Sequence, residues 1–162
     1  MANGSYYDWG FNSGGQLGDG TTTDATVPVK VTLPGPVRQV SQGGSQPTNG
    51  QTLAILRDGA VWAWGDGSYG QLGDDSTTGS SLPVPVHLPR AVRIRQVFSG
   101  GDSSYALAST GRLFVWGGDL HGQLGDGGSR PVLEPTPLHL HLDQISATAT
   151  NVAGLAVQRA RP

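Results

Sequence analysis

Short apolar runs punctuated by glycine recur along this chain in a constant order. Gln39-Val40-Ser41 leads into Gly43-Gly44, and Gln96-Val97-Phe98-Ser99 leads into Gly100-Gly101. A second kind of run follows, Thr52-Leu53-Ala54-Ile55-Leu56 and Tyr105-Ala106-Leu107-Ala108, and then a third, Val61-Trp62-Ala63-Trp64 and Leu113-Phe114-Val115-Trp116. Runs this short, rich in β-branched and aromatic residues and bounded by glycine, predict strands. Asp58-Gly59 between the second and third runs predicts a tight hairpin, because glycine accepts the positive φ such turns need. A proline-rich stretch closes each set: Val27-Pro28-Val29, Leu82-Pro83-Val84-Pro85-Val86 and Pro135-Thr136-Pro137-Leu138. Proline cannot donate to a ladder, so these segments are expected at sheet edges.

The pattern is a repeat. Gly15-Gln16-Leu17-Gly18 returns as Gly70-Gln71-Leu72-Gly73 and as Gly122-Gln123-Leu124-Gly125, in steps of 55 and 52 residues. A Trp-Gly pair stands at one distance before each copy, at Trp9, Trp64 and Trp116, and an aspartate follows each, Asp19, Asp74 and Asp126. One unit reads as strand, glycine pair, strand, hairpin, aromatic strand, Trp-Gly, loop, Gly-Gln-Leu-Gly and proline-rich strand. That is a four-stranded propeller blade of about 50 residues. One tryptophan per unit suits packing between neighbouring sheets, and Tyr6, Tyr7 and Trp62 beside these strands are expected in the same packing.

Composition agrees with an all-β chain. The 162 residues include 26 glycines and 11 prolines, which disfavour helix, while four Trp, four Tyr and three Phe in regular runs argue against disorder. Net charge is −2, which argues against bulk attraction to nucleic acid or to an anionic membrane. No apolar run is long enough for a spanning helix. Met1-Ala2-Asn3-Gly4-Ser5 lacks a signal-peptide pattern, so a cytoplasmic location is the default. Cysteine is absent, which excludes disulfides and thiolate chemistry. One lysine against nine arginines hints at a GC-rich, bacterial genome.

Trp-Gly followed by Gly-Gln-Leu-Gly, with Gly-Gly and Leu-Ala upstream, resembles the repeat of the regulator of chromosome condensation family, over nearly the whole chain. The resemblance implies a β-propeller, usually seven-bladed. The family's founding member is a nucleotide-exchange factor for a small nuclear GTPase that also binds chromatin, and a plant ultraviolet photoreceptor shares the fold. Many relatives are interaction domains without catalysis. The photoreceptor's Gly-Trp-Arg-His-Thr motif is absent here, and the exchange factor acts through features outside the repeat pattern. The third unit departs from the pattern, with Thr148-Ala149 in place of the glycine pair.

Asn3-Gly4 aligns with Asp58-Gly59, and Gly154-Leu155-Ala156-Val157-Gln158 aligns with the strand before that turn. The chain is therefore expected to hold three blades in one domain, cut at a hairpin. The units run approximately 1–36 (completed by 139–162 of the same or a partner chain), 37–88 and 89–138. Open edges invite pairing. Two chains joined head to tail would close a six-bladed ring with two-fold symmetry; a fragment of a longer propeller is the rival.

The constant Trp9, Trp64, Trp116, Gln16, Gln71 and Gln123 are read as structural. Asp19, Asp74 and Asp126 are expected to close the turn after Gly-Gln-Leu-Gly through their side chains. The loop after Trp-Gly varies between units, as a recognition face would; Tyr69 and His121 occupy one slot in it, with Asn12, Asp66 and Asp119 nearby. His139, His141 and Asp143 alternate on a predicted strand with leucines on its other face, so a divalent metal is one reading and a polar outer face the other. Arg90, Arg93 and Arg95 form a basic run, with Arg93 and Arg95 on one strand face, suited to an anion or to plain solvent. No catalytic triad, phosphate loop or dinucleotide fingerprint is present, and no cofactor is implied. The function expected is a non-enzymatic scaffold that binds itself and an unknown protein or peptide through loop faces or the channel. The alternative is an enzyme or a small-molecule or metal binder with its site in the channel or a loop face, where His121 with Asp119, or the His139 to Asp143 strand, would be the first suspects.

Overall fold

The computed structural model describes residues 4–44, 50–148 and 151–156. Twelve strands form four antiparallel sheets among the described residues. The first sheet pairs β1 (Tyr6–Gly10) with β2 (Ala25–Val31). The second runs β3 (Val37–Gly43), β4 (Gln51–Leu56), β5 (Val61–Gly65) and β6 (Ser80–Pro85), in sequence order. The third repeats that order with β7 (Ile94–Gly100), β8 (Ser103–Ala108), β9 (Arg112–Gly117) and β10 (Val132–His141). The fourth pairs β11 (Gln144–Ala147) with β12 (Val152–Leu155). The two full sheets are blades, β1–β2 is the back half of a blade and β11–β12 a front half.

Register confirms the alignment. Ala54 pairs with Trp62 and Trp62 with Pro85; Ala106 pairs with Phe114 and Phe114 with Pro137. The proline-bearing strands β2, β6 and β10 all lie at the outer edge, where no further ladder needs their missing N–H groups. The opposite edges, β3, β7 and β11, lie beside one another. Gln39 spans from β3 to β7 through a reciprocal pair, its Nε2 donating to Val97 O at 3.0 Å and its Oε1 accepting from Val97 N at 3.3 Å. Such gathering of first strands is the inner wall of a propeller. Here the first glycine of each pair has a steric cause: a Cβ on Gly43 would lie 2.8 Å from Ser99 O, and one on Gly100 2.6 Å from Thr148 O. Thr148 stands at the third such position, and no described strand lies beyond it; Ala149 falls outside the described residues, as do Asn3, Val157 and Gln158.

Apolar layers fill the seams between blades. Leu53, Ile55 and Leu72 of the second blade meet Val97, Ala106, Phe114 and Trp116 of the third. Trp64 packs with Val31 and Tyr6 of the first, and Leu107 and Leu124 with Ile145 of the fourth. Every residue of β4 and β8 is buried, as expected of strands covered on both faces.

β10 is longer than the repeat implies. It continues to His141, so residues 139–141 belong to the third blade rather than to the next unit, and the full sheets span 37–85 and 94–141. Its leucines do not form a clean inner face either: Leu140 is 39% exposed, alongside exposed His139 and His141.

Candidate functional site

The repeated frame builds the same device at two seams, between the first and second sheets and between the second and third. The glutamine side chain of Gly-Gln-Leu-Gly folds back to accept a backbone N–H two residues earlier: Gly14 to Gln16 at 2.9 Å, Tyr69 to Gln71 at 2.8 Å and His121 to Gln123 at 2.9 Å. This presents its own carbonyl to the next blade. Gln16 O accepts from Trp64 Nε1 at 2.8 Å and Thr52 Oγ1 at 3.0 Å. Gln71 O accepts from Trp116 Nε1 at 2.9 Å and Ser104 Oγ at 2.8 Å. The last glycine of the motif makes room for the indole: a Cβ on Gly18 or Gly73 would lie 2.6 or 2.7 Å from Trp64 or Trp116 Nε1.

The third copy differs. A Cβ on Gly125 would meet only Leu138, at 3.8 Å, and Gln123 O accepts instead from Tyr105 Oη within its own blade, at 3.1 Å. Burial, with the Asp119 carboxylate nearby, pushes this phenol up to about 12. At the other end of the molecule Trp9, the first tryptophan of the frame, is 59% exposed.

The loops after Trp-Gly divide their residues between support and surface. Asn12 is fully buried; its Oδ1 accepts from Leu17 N at 2.9 Å and its Nδ2 donates to Thr21 O and Thr23 O, each at 3.1 Å. Asp119 is buried in the equivalent place and accepts from Leu124 N at 2.8 Å. Gly67 stands there in the second unit, and Asp66 takes over the support by accepting from Gln71 Nε2 at 2.9 Å. Three of the five residues expected to recognise a partner are thus loop struts. Phe11, Leu120 and His121 are exposed and Tyr69 is half-buried, so these four carry the outer surface.

Asp19 Oδ1 closes its turn by accepting from Thr21 N at 2.9 Å and Thr21 Oγ1 at 2.8 Å, and Asp126 does so with Gly128 N at 2.8 Å. Burial opposes the Asp19 charge, but these bonds and one from Asn12 outweigh it and hold the carboxyl below its usual range. Asp74 departs: its Oδ1 is buried without a hydrogen-bond partner. His139, His141 and Asp143 are not gathered. Asp143 lies beyond the end of β10, its N–H donating to Leu155 O at 2.7 Å, and no three His, Asp or Glu among the described residues could hold a metal ion.

The basic run is split by the fold. Arg95 lies in β7 and its guanidinium donates to Leu142 O at 3.3 Å, in the link that leads to the fourth sheet. Arg90 and Arg93 lie in the link between β6 and β7 and turn to the opposite seam. They do not share a face with Arg95. Together with Arg38 and Arg57 they border a groove of about 840 Å³ between the second and third blades, on the side of the β4–β5 hairpin. Trp62, Val86, Val92 and Ile94 add apolar side chains to its lining. Arg57 was not visible as a partner of this run, because 33 residues separate it from Arg90 and only the blade packing joins them.

The model of the regulator of chromosome condensation (RCC1) repeat matches residues 3–46 and 58–107, and a second model of the same repeat matches 94–123. The chain belongs to this family. Among RCC1-repeat relatives, the human E3 ubiquitin-protein ligase HERC2 is 35% identical over 136 residues, covering 83% of this chain and 3% of HERC2. The Ultraviolet-B receptor UVR8 of Arabidopsis thaliana is 31% identical over 131 residues, 80% of this chain and 29% of that protein. The structure of human WBSCR16 superposes with a TM-score of 0.80 at 24% identity, over 96% of this chain and 41% of that one. That of Prp20p from Saccharomyces cerevisiae, described with its binding to Gsp1p and histones, superposes at 0.78 with 18% identity, over 95% and 40%. These likenesses show the RCC1 propeller fold; the chain spans well under half the length of each of these relatives.

Proposed function

We propose that this RCC1-repeat chain is a non-catalytic scaffold that binds a protein or peptide. The observation that carries the reading is the division of labour in the loops. In the first two copies the repeated glutamine carbonyl and tryptophan are engaged with one another inside the frame, while chemically unlike side chains occupy the variable loop, Phe11, Leu120 and His121 exposed and Tyr69 half-buried. Prp20p, which shares this fold, supports the reading: its structure is described with its binding to Gsp1p and histones, and another structure shows Kap60 bound to it. Selection of peptides from a random display library tests the reading. Peptides should be enriched whose binding falls on Tyr69→Ala with His121→Ala; a library that yields no binder overturns it.

The second part of the proposal is closure of the ring by a second copy. Among the described residues, Trp9 meets no carbonyl of the kind that Trp64 and Trp116 have, and Gln123 O and Gly125 meet no indole. The β12 edge is equivalent to β4 and β1 to β5, so the register would pair Val152 with Trp9, Gly154 with Tyr7 and Leu155 with Tyr6. Two reciprocal joints give a six-bladed, two-fold ring. Light scattering after size exclusion should read twice 16.8 kDa, and Trp9→Ala should halve it. A single-chain mass for the unaltered protein overturns the closure.

A further inference from the structure

The seam groove occurs three times on the hairpin side, and only one copy is specialised. The first, bordered by Lys30 and Gly35, holds about 280 Å³ and the third, bordered by Arg95 and His141, about 360 Å³, against about 840 Å³ for the middle one. The difference comes from the link between an outer strand and the next inner strand. Three residues, Pro34-Gly35-Pro36, separate Leu33 from Val37, and one, His141, separates Leu140 from Leu142. Five residues, 89–93, separate Leu88 from Ile94, held as a turn by Val92 N donating to Pro89 O at 3.0 Å. The longer link brings Arg90 and Arg93. Arg57, at the tip of the opposing hairpin, completes the rim, where the third blade has Ser109. These residues are additions to the frame, so blade geometry does not require them.

The charge in this groove is one-sided. Four arginines face one acid, Asp58, whose Oδ1 already accepts from Ala60 N at 3.0 Å. Arg38 donates to Ile94 O at 2.9 Å. Arg57, Arg90 and Arg93 are exposed and have no ion-pair partner among the described residues. This stands in a chain whose net charge is −2. The same lining carries apolar side chains, among them a half-buried Trp62. Arginines on a rim bind carboxylates bidentately, and an indole in the lining takes an apolar side chain.

We propose that this groove binds a short acidic peptide segment carrying one or two apolar residues, its carboxylates on Arg57, Arg90 and Arg93 and an apolar side chain on Trp62. A peptide fits better than a nucleic acid: the groove is short, its lining carries apolar side chains and the chain around it is acidic, whereas nucleic acid needs an extended basic track. The inference rests on the scaffold reading and names the chemistry of the partner.

The test is fluorescence anisotropy of the full chain with a labelled peptide, Glu-Glu-Asp-Leu-Phe-Glu-Asp, and its Gln and Asn counterpart. Saturable binding of the acidic peptide alone is expected, weakening as salt rises. Combining Arg57→Ser, the residue of the third blade, with Arg90→Ala and Arg93→Ala should weaken it at least tenfold, and Arg93→Glu alone by a similar factor. All three positions are exposed, and an unchanged thermal melt shows that the fold is kept. Equal binding of the uncharged peptide, indifference to these variants, or tighter binding of a single-stranded oligonucleotide overturns the groove. The peptide library judges the scaffold separately: if it yields loop-face binders while the acidic peptide fails here, the groove falls and the scaffold stands.

Discussion

Gly73 shows how closely neighbouring blades approach. Its φ of 69° is one that L side chains rarely adopt, and a Cβ would collide with Trp116 Nε1. Gly73→Ala should therefore cost about 3 kcal/mol, strain and overpacking together. Gly125 has the same φ of 69° but no indole against it, so Gly125→Ala should cost only the backbone strain, about 1 kcal/mol. Urea unfolding of the two variants at a dilution where the chain is a monomer measures the difference. At this scale the sequence was legible where the contact is local. Asp19 and Asp126 close their turns as the repeat implied, because donor and acceptor lie two residues apart. It was not legible where neighbours come from another blade. Nothing near Arg57 reveals Arg90 and Arg93 across the groove, and even inside one loop the burial of Asn12 was missed, because its partners Leu17, Thr21 and Thr23 are brought to it only by the fold of that loop.

At the scale of elements, the β1–β2 sheet carries one polar graft. Asp8 stands where the equivalent strands have Ala63 and Val115, and is 7% exposed. Tyr6 Oη donates to Asp8 Oδ2 at 2.7 Å, Trp9 N to Oδ1 at 2.9 Å, and Gln42 Nε2 reaches the same carboxylate from β3. Burial raises the Asp8 carboxyl above its usual range in spite of these bonds, and burial with the neighbouring carboxylate raises the Tyr6 phenol. A carboxyl raised on folding contributes its full stability below the unfolded value, about pH 4, and loses it as pH rises through the folded value. Asp8→Asn should accordingly gain stability at pH 7 relative to its parent, with the gain shrinking towards pH 4; thermal melts across that range would show it. The order of strands, the hairpins and the proline edges could be read in advance because each rests on period-2 patterning and turn chemistry. The end of β10 could not, because His139 and His141 continue the alternation that a new strand would show.

For the whole molecule, the proposed closure makes its own predictions at the two half-blades. If β1 of one copy joins β12 of another, the β12 amides should exchange slowly at high protein concentration and quickly on dilution or in Trp9→Ala, as mass spectrometry of exchanged peptides can follow. The joint would not copy the internal seams in every detail. Val152 stands where Thr52 and Ser104 supply a hydroxyl, and Thr148 carries a side chain where Gly43 and Gly100 leave space. Thr148→Gly should consequently tighten a dimer and leave a monomer unchanged, which a dilution series by light scattering would distinguish.

The links of three, five and one residues join blades that are otherwise alike. Between the second and third blades the spacing is held by Trp116 and the Gln71 carbonyl it meets, so the link there carries less of that duty and has room to be lengthened. Residues 89–93 are thus a natural place for grafting foreign loops: a Gly-Ser insert after Ala91 should leave the melting temperature nearly unchanged, while the same insert after Gln71 should prevent folding. A repertoire of binders could be raised on this backbone by randomising a single stretch.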